Sequence, residues 1–207
     1  MNSTIGDGSV YWVQHDPQPG QDRQEAVRYL TLAADDGHAE AQLSYGSCLS
    51  EEQDMAKAAH YFRLAADQGL PQGHFNYGMC LLKGEGVAKD AKEAAVHFKI
   101  AADHGHTEAQ LNYGLCLSDE GDIEQNASEA ARYFKLAADQ GNAQAQFEYS
   151  LCAFDGKGVT QDKQEATRYL KLSANSGDPR AQFKYGTCRA RIYALTFPIF
   201  GAPDAQG

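Results

Sequence analysis

Ala41-Gln42-Leu43-Ser44-Tyr45-Gly46-Ser47-Cys48-Leu49, followed by Ala58-Ala59-His60-Tyr61-Phe62-Arg63-Leu64-Ala65-Ala66, decides the fold. In the first segment, positions 41, 45, 48 and 49 fall on one face at helical spacing. In the second, positions 58, 61, 62 and 65 form an apolar stripe. The pair then returns along the chain. Tyrosine recurs as Tyr45, Tyr77, Tyr113, Tyr149 and Tyr185, with spacings of 32, 36, 36 and 36. All five cysteines follow at a fixed offset, as Cys48, Cys80, Cys116, Cys152 and Cys188. Glycines close the units at Gly37, Gly69, Gly105, Gly141 and Gly177. Three residue types sharing one period identify an array of helix–turn–helix repeats.

The boundaries carry their own chemistry. Asp22…Glu25, Asp90…Glu93, Asn126…Glu129 and Asp162…Glu165 have the spacing of a capping box, and Asp54…Lys57 keeps only its first member. The closing glycines suit the left-handed position just past a helix. Leu70-Pro71 and Asp178-Pro179 place proline at a first helical position, where its missing N–H costs least. Alanines together with Gly46, Gly78, Gly114 and Gly186 keep one face thin, so that helix backbones can approach. One such hairpin cannot bury its apolar face alone, and stacked neighbours supply a continuous core. Each helix of about 13 residues is about 20 Å long.

Gly156-Lys157-Gly158-Val159 with Asp162-Lys163-Gln164-Glu165-Ala166, Tyr169-Leu170-Lys171-Leu172 and Gly177 resembles the Sel-1-like repeat, a relative of the tetratricopeptide repeat. Gly84-Glu85-Gly86-Val87 with Asp90, Glu93-Ala94-Ala95, Phe98-Lys99-Ile100-Ala101-Ala102 and Gly105 matches it again. The likeness runs from Asp22 to Tyr193. It implies an all-α, right-handed superhelix of about four repeats with half-units at both ends, acting as a non-catalytic adaptor or scaffold. The expected organisation is an irregular segment at 1–21, the solenoid at 22–193, and an apolar tail or cap at 194–207. Leu195-Thr196-Phe197-Pro198-Ile199-Phe200 matches no repeat position. The first repeat is four loop residues short, and Glu120-Gly121-Asp122-Ile123 replaces the glycine-x-glycine-valine turn in the third.

Composition narrows the function. At 43% hydrophobic and 22% charged residues the chain has the makeup of a folded protein. A net charge of −10 argues against a general nucleic-acid binder, which needs a basic face, and against docking on an anionic membrane. No run approaches the roughly 18 apolar residues of a membrane span. The first residues, Met1-Asn2-Ser3-Thr4-Ile5-Gly6-Asp7, lack a basic start and an apolar core. Relatives secreted by bacteria can carry two cysteines per repeat, whereas this chain has one. Equivalent positions in successive repeats lie too far apart for the roughly 4.4–6.8 Å Cα separation of a disulfide. The cysteines therefore read as small buried hydrophobes in a reducing, cytoplasmic setting.

Candidate chemistry reduces to structure at each point. His104-Gly105-His106 is the only close histidine pair in sequence, and solvated turn histidines account for it; a metal site needs three or four convergent ligands. The glycine-x-glycine-valine loops join two helices and lack the lysine–serine/threonine ending of a phosphate loop. Asn126-Ala127-Ser128 and Asn2-Ser3-Thr4 are glycosylation sequons, but Asn126 also serves as a helix cap. No nucleophile–base pair is evident, so no cofactor, metal or catalytic residue is expected. A hydrolase-like activity, attributed to some relatives, and a regulatory segment of a larger signalling protein such as a kinase are the rival readings.

If the first helices line the inner face, the positions opposite their core residues carry the partner. Register gives Asn76, Met79 and Lys83, then Asn112, Leu115 and Asp119, then Glu148, Leu151 and Asp155, and finally Lys184. Met79, Leu115 and Leu151 form an apolar stripe, with Asn76 and Asn112 as amides suited to an extended peptide backbone. Packing of those three apolar residues against a neighbouring helix is the alternative. The expected partner is a protein or peptide.

Overall fold

The structure, a computed structural model, describes residues 19–118 and 125–196, with side chains from 23 to 190. Ten helices follow one another among these residues: α1 (Pro19–Asp35), α2 (Ala39–Glu51), α3 (Met55–Asp67), α4 (Pro71–Lys83), α5 (Ala91–Asp103), α6 (Thr107–Ser118), α7 (Ala127–Asp139), α8 (Ala143–Asp155), α9 (Lys163–Asn175) and α10 (Pro179–Thr196). Each packs chiefly on the next. The result is an all-α solenoid of four helix pairs, α2–α3 to α8–α9, between the half-units α1 and α10.

The expected caps form. Asp54, Asp90, Asn126 and Asp162 accept from the backbone N–H groups of Lys57, Glu93, Glu129 and Glu165. The five closing glycines take φ between 84° and 94°, a region that costs other residues strain. Pro71 opens α4. Asp22 is a correction. It lies inside α1, which begins at Pro19, and not at the start of the helix. The caps of the first helices were not expected: His38 and His106 accept from Ala41 and Ala109, and Asn142 and Asp178 accept from Ala145 and Ala181.

The core runs the length of the array. Ala58, Ala59, Phe62, Ala94, Phe98, Ala101, Ala130, Phe134 and Ala137 are at most 5% exposed. Within each pair, glycine admits an aromatic ring. A Cβ on Gly46, Gly78 or Gly114 would stand 2.8, 2.8 or 2.6 Å from the ring of Phe62, Phe98 or Phe134. Gly186 has nothing within 4 Å among the described residues, where no helix follows α10. The expected face of the first helices is buried in full on α4, as Gly73, Tyr77, Cys80 and Leu81, and on α8, as Ala145, Tyr149, Cys152 and Ala153, whereas α2 departs from it. On α2 the buried set is Ala41, Gln42, Gly46 and Leu49, with Tyr45 and Cys48 half-buried.

Two polar ties recur between repeats. The tyrosine of a second helix donates to an aspartate of the preceding second helix: Tyr61 to Asp35, Tyr133 to Asp103 and Tyr169 to Asp139. The glutamine of a first helix donates through Nε2 to a carbonyl eight residues back at 3.2 Å: Gln42 to Ala34, Gln110 to Ala102, Gln146 to Ala138 and Gln182 to Ala174. These bonds sit where the apolar stripe ends, and they fix register that methyl groups alone would leave loose.

Candidate binding groove

Positions expected to face a partner come together in two places. Between α2 and α4 a cleft of about 290 Å³ is lined by Ser47, Ser50, Met55, Asn76, Met79 and Lys83, with Glu85 at its rim. Three of the expected residues, Asn76, Met79 and Lys83, meet there. A second cleft of about 210 Å³ lies where α8, α9 and α10 meet, and Leu151, Phe154, Leu170, Lys184, Tyr185 and Cys188 line it. It brings together Leu151 and Lys184. Asn112 and Leu115 sit on α6, between α4 and α8 in the array. Glu148 and Asp155 flank Leu151 on α8. Asp119, the Glu120–Ile123 turn, the segment 1–18 and the end of the apolar tail from residue 197 lie outside the described residues.

Burial modifies the expected stripe. Met79 and Leu115 are half-buried and pack against the main core, and Leu151 does so against a second cluster of Phe147, Leu170 and Ala181. The stripe is therefore core on one flank and accessible on the other. The amides are likewise partly engaged by their own helices. Asn76 Oδ1 accepts from Gln72 at 2.9 Å, and Asn112 Nδ2 donates to the Glu108 carbonyl at 2.8 Å. Glu148 accepts from Arg180 at 3.0 Å, and the Arg180 guanidinium also lies 4.4 Å from the Phe147 ring centre. Lys83 pairs only loosely with Glu85 at 3.7 Å, while Asp155 and Lys184 are exposed. Sequence periodicity left groove and packing both open for the three apolar residues, because facing positions say nothing of how deeply adjacent helices interlock.

The cysteines divide. Cys80 and Cys152 are buried, and loss of solvation pushes the Cys80 thiol up to about 11 and the Cys152 thiol up as well. Such thiols are poor nucleophiles. Cys48 and Cys116 are half-buried and Cys188 is exposed, so the expected burial holds for two of the five. His106 departs further from expectation. Its side chain is only 12% exposed, it stacks on Phe75 at 4.6 Å, and it caps α6. Among the described residues no group of three or more His, Cys, Asp or Glu side chains is placed to hold a metal ion. No described helix is long and apolar enough to cross a membrane.

Helix pairs stacked in register define a tetratricopeptide-like repeat module, a fold that generally mediates protein–protein interaction. The chain belongs to the Sel1 repeat family: the Sel1 repeat model matches residues 8–38, 39–70, 71–106, 107–142 and 143–178. Its solved relatives agree. A Sel1 repeat protein from Oxalobacter formigenes is 31% identical with a TM-score of 0.72, the match covering 80% of this chain and 49% of that one. The protein c5321, a protective antigen of uropathogenic Escherichia coli with an SLR fold, is 29% identical with a TM-score of 0.75, covering 86% and 38%. The chain thus spans about half or less of the length of these relatives. YrrB, a TPR protein with an unusual peptide-binding site, shares the fold at 20% identity and a TM-score of 0.52, covering 81% and 85%. No curated protein matches.

Proposed function

We propose that this chain is a non-catalytic adaptor that holds a protein or peptide segment along the groove of its first helices. The observation that carries the reading is the cleft between α2 and α4, where Met79 offers a half-exposed apolar anchor. Asn76 and the exposed Lys83 stand beside it as polar contacts. A half-buried apolar anchor with a polar rim is how peptide grooves combine affinity with register. A rigid array adds preorganisation, which lowers the entropic cost of binding. Lys83 and Lys184 are exposed cations in a chain of net charge −10, and they favour a segment that carries carboxylates.

The test is selection of binders from a displayed random-peptide library on the intact protein, followed by affinity measurement on variants. Lys83→Glu with Lys184→Glu leaves the packed residues untouched and should weaken a selected peptide by about 1–3 kcal/mol, roughly tenfold to a hundredfold. Peptides that bind the parent and this folded variant equally would remove the groove from consideration.

A further inference from the structure

One joint departs from the repeat in three positional columns at once. Where the other repeats have Gln42, Gln110 and Gln146, the second has His74; where they have Tyr61, Tyr133 and Tyr169, it has His97; where two have Gln68 and Gln140, it has His104. In the glutamine repeats Gln68 Nε2 and Gln140 Nε2 donate to Gln42 Oε1 and Gln110 Oε1 at 2.7 Å. Those ties do not titrate between pH 5 and 8. In the histidine repeat His74 Nδ1 lies 2.9 Å from His97 Nδ1, with ring centres 5.1 Å apart. A fourth imidazole, His106, closes the seam from α6: Nε2 lies 2.8 Å from Gln72 Oε1 while Nδ1 accepts from Ala109 N–H. Four of the chain's seven histidines therefore gather where α4, α5 and α6 meet.

An Nδ1···Nδ1 hydrogen bond needs one ring to donate and the other to accept, so the accepting nitrogen must carry no proton. A first added proton leaves such a bond possible. A second makes both nitrogens donors and breaks it. The surroundings limit how much charge the pair can hold. His74 is 9% exposed and the His97 side chain 14%, so solvation is poor. Asp67 of α3 acts favourably on both rings, and Glu93 lies 3.9 Å from His97 Nε2. Against them stand the charge of the partner ring and that of His104 on His74. The Tyr77 ring meets His97 edge-on at 4.9 Å, and Arg63, Asp67 and Glu93 act on that phenol. His106 faces Glu108 at 3.8 Å.

We infer that the α4–α5 pair is a proton-sensitive joint, held closed by the neutral His74–His97 bond and loosened by acid, so that α4 shifts relative to the rest of the array. Burial pulls His74, His97 and His106 below the ordinary imidazole range, while Asp67 draws the first two partly back and Glu108 the third. With folded values below the unfolded value of about 6.5, the opened chain binds more protons than the closed one. The closed joint is therefore at full strength above that pH and loses strength as pH falls beneath it. The inference does not depend on what the groove holds.

Hydrogen exchange of the full chain at pH 7.5 and 5.5, corrected for the intrinsic pH dependence of exchange, tests it. Opening of α4 and α5 should increase by about tenfold or more relative to α7–α9, since uptake of one proton on opening gives a factor of ten per pH unit. His74→Gln with His97→Tyr and His104→Gln, which restores the residues of the other repeats, should abolish that difference. Should this variant fail to fold, nitrogen-15 titration of the parent imidazoles decides, with His74 and His97 expected to stay neutral below pH 6.5. Protection of α4 and α5 that tracks α7–α9 at both pH values overturns the inference. So does protonation of both rings at the ordinary value, about 6.5.

Discussion

At the scale of single residues, position within the repeat decides which bonds exist. Gln42 and Gln110 each donate to a carbonyl and accept from the glutamine that ends the following second helix. Gln146 donates in the same way, but the corresponding residue is Ser176, whose side chain is too short to return the bond. Gln146 Oε1 is accordingly buried without a partner among the described residues. Ser176 has φ −80° and ψ 2°, close to the −82° and 0° of Gln140, so the backbone already suits the longer residue. Ser176→Gln should stabilise the fold by about 0.5–1.5 kcal/mol, measured as a shift in urea midpoint at constant slope. The columns themselves were legible in the sequence as repeated letters. Their partners were not, because the bonds of Tyr133 to Asp103 or Gln140 to Gln110 join residues thirty positions apart. Only the helix stacking brings such pairs together.

At the scale of helices, the same letter serves two purposes. Gly46, Gly78 and Gly114 read in the sequence as thin-face residues, and in the fold each backs an aromatic ring of the next helix. Gly186 carries the same signal and meets nothing among the described residues, which hold no helix beyond α10. Alanine should therefore act oppositely at the two kinds of site. Gly114→Ala places a methyl 2.6 Å from the ring of Phe134, which is 2% exposed and has no room to move. Overpacking of about 1–3 kcal/mol outweighs the roughly 1 kcal/mol gained in helix propensity, so the variant should unfold earlier in denaturant. Gly186→Ala keeps only the propensity gain and should be neutral to about 1 kcal/mol more stable. The second glycine of the glycine-x-glycine-valine turns carried more than turn chemistry. Gly86 and Gly158 lie against the Met55 and Ala127 carbonyls of the preceding repeat, where a Cβ would stand 2.0 Å away. The capping residues of α3, α5, α7 and α9 were plain in the sequence. Those of α2 and α6 were missed because histidine, a weaker cap by residue type, occupies the site.

For the whole molecule, stability comes from a chain of nearest-neighbour joints, so a change at one joint is felt locally. The four-repeat solenoid between half-units follows from the period alone, since a hairpin with one apolar stripe has no other way to bury it. The groove was legible only in part. Spacing placed Asn76, Met79 and Lys83 on one face, and the fold gathers them into one cleft. It left open whether Met79, Leu115 and Leu151 pack as core, as they do on one flank, because two-sided burial depends on how closely neighbouring helices approach. The proposed adaptor role therefore rests on the accessible flank of these residues. The most direct measurement is a hydrogen-exchange footprint of the tightest library-selected peptide on the intact chain. The groove account predicts slowed exchange along α2, α4 and α6, centred on residues 47–50 and 76–83, with α3, α5 and α7 unchanged. Protection concentrated on those second helices or on the closing turns, with α4 unaffected, would contradict it.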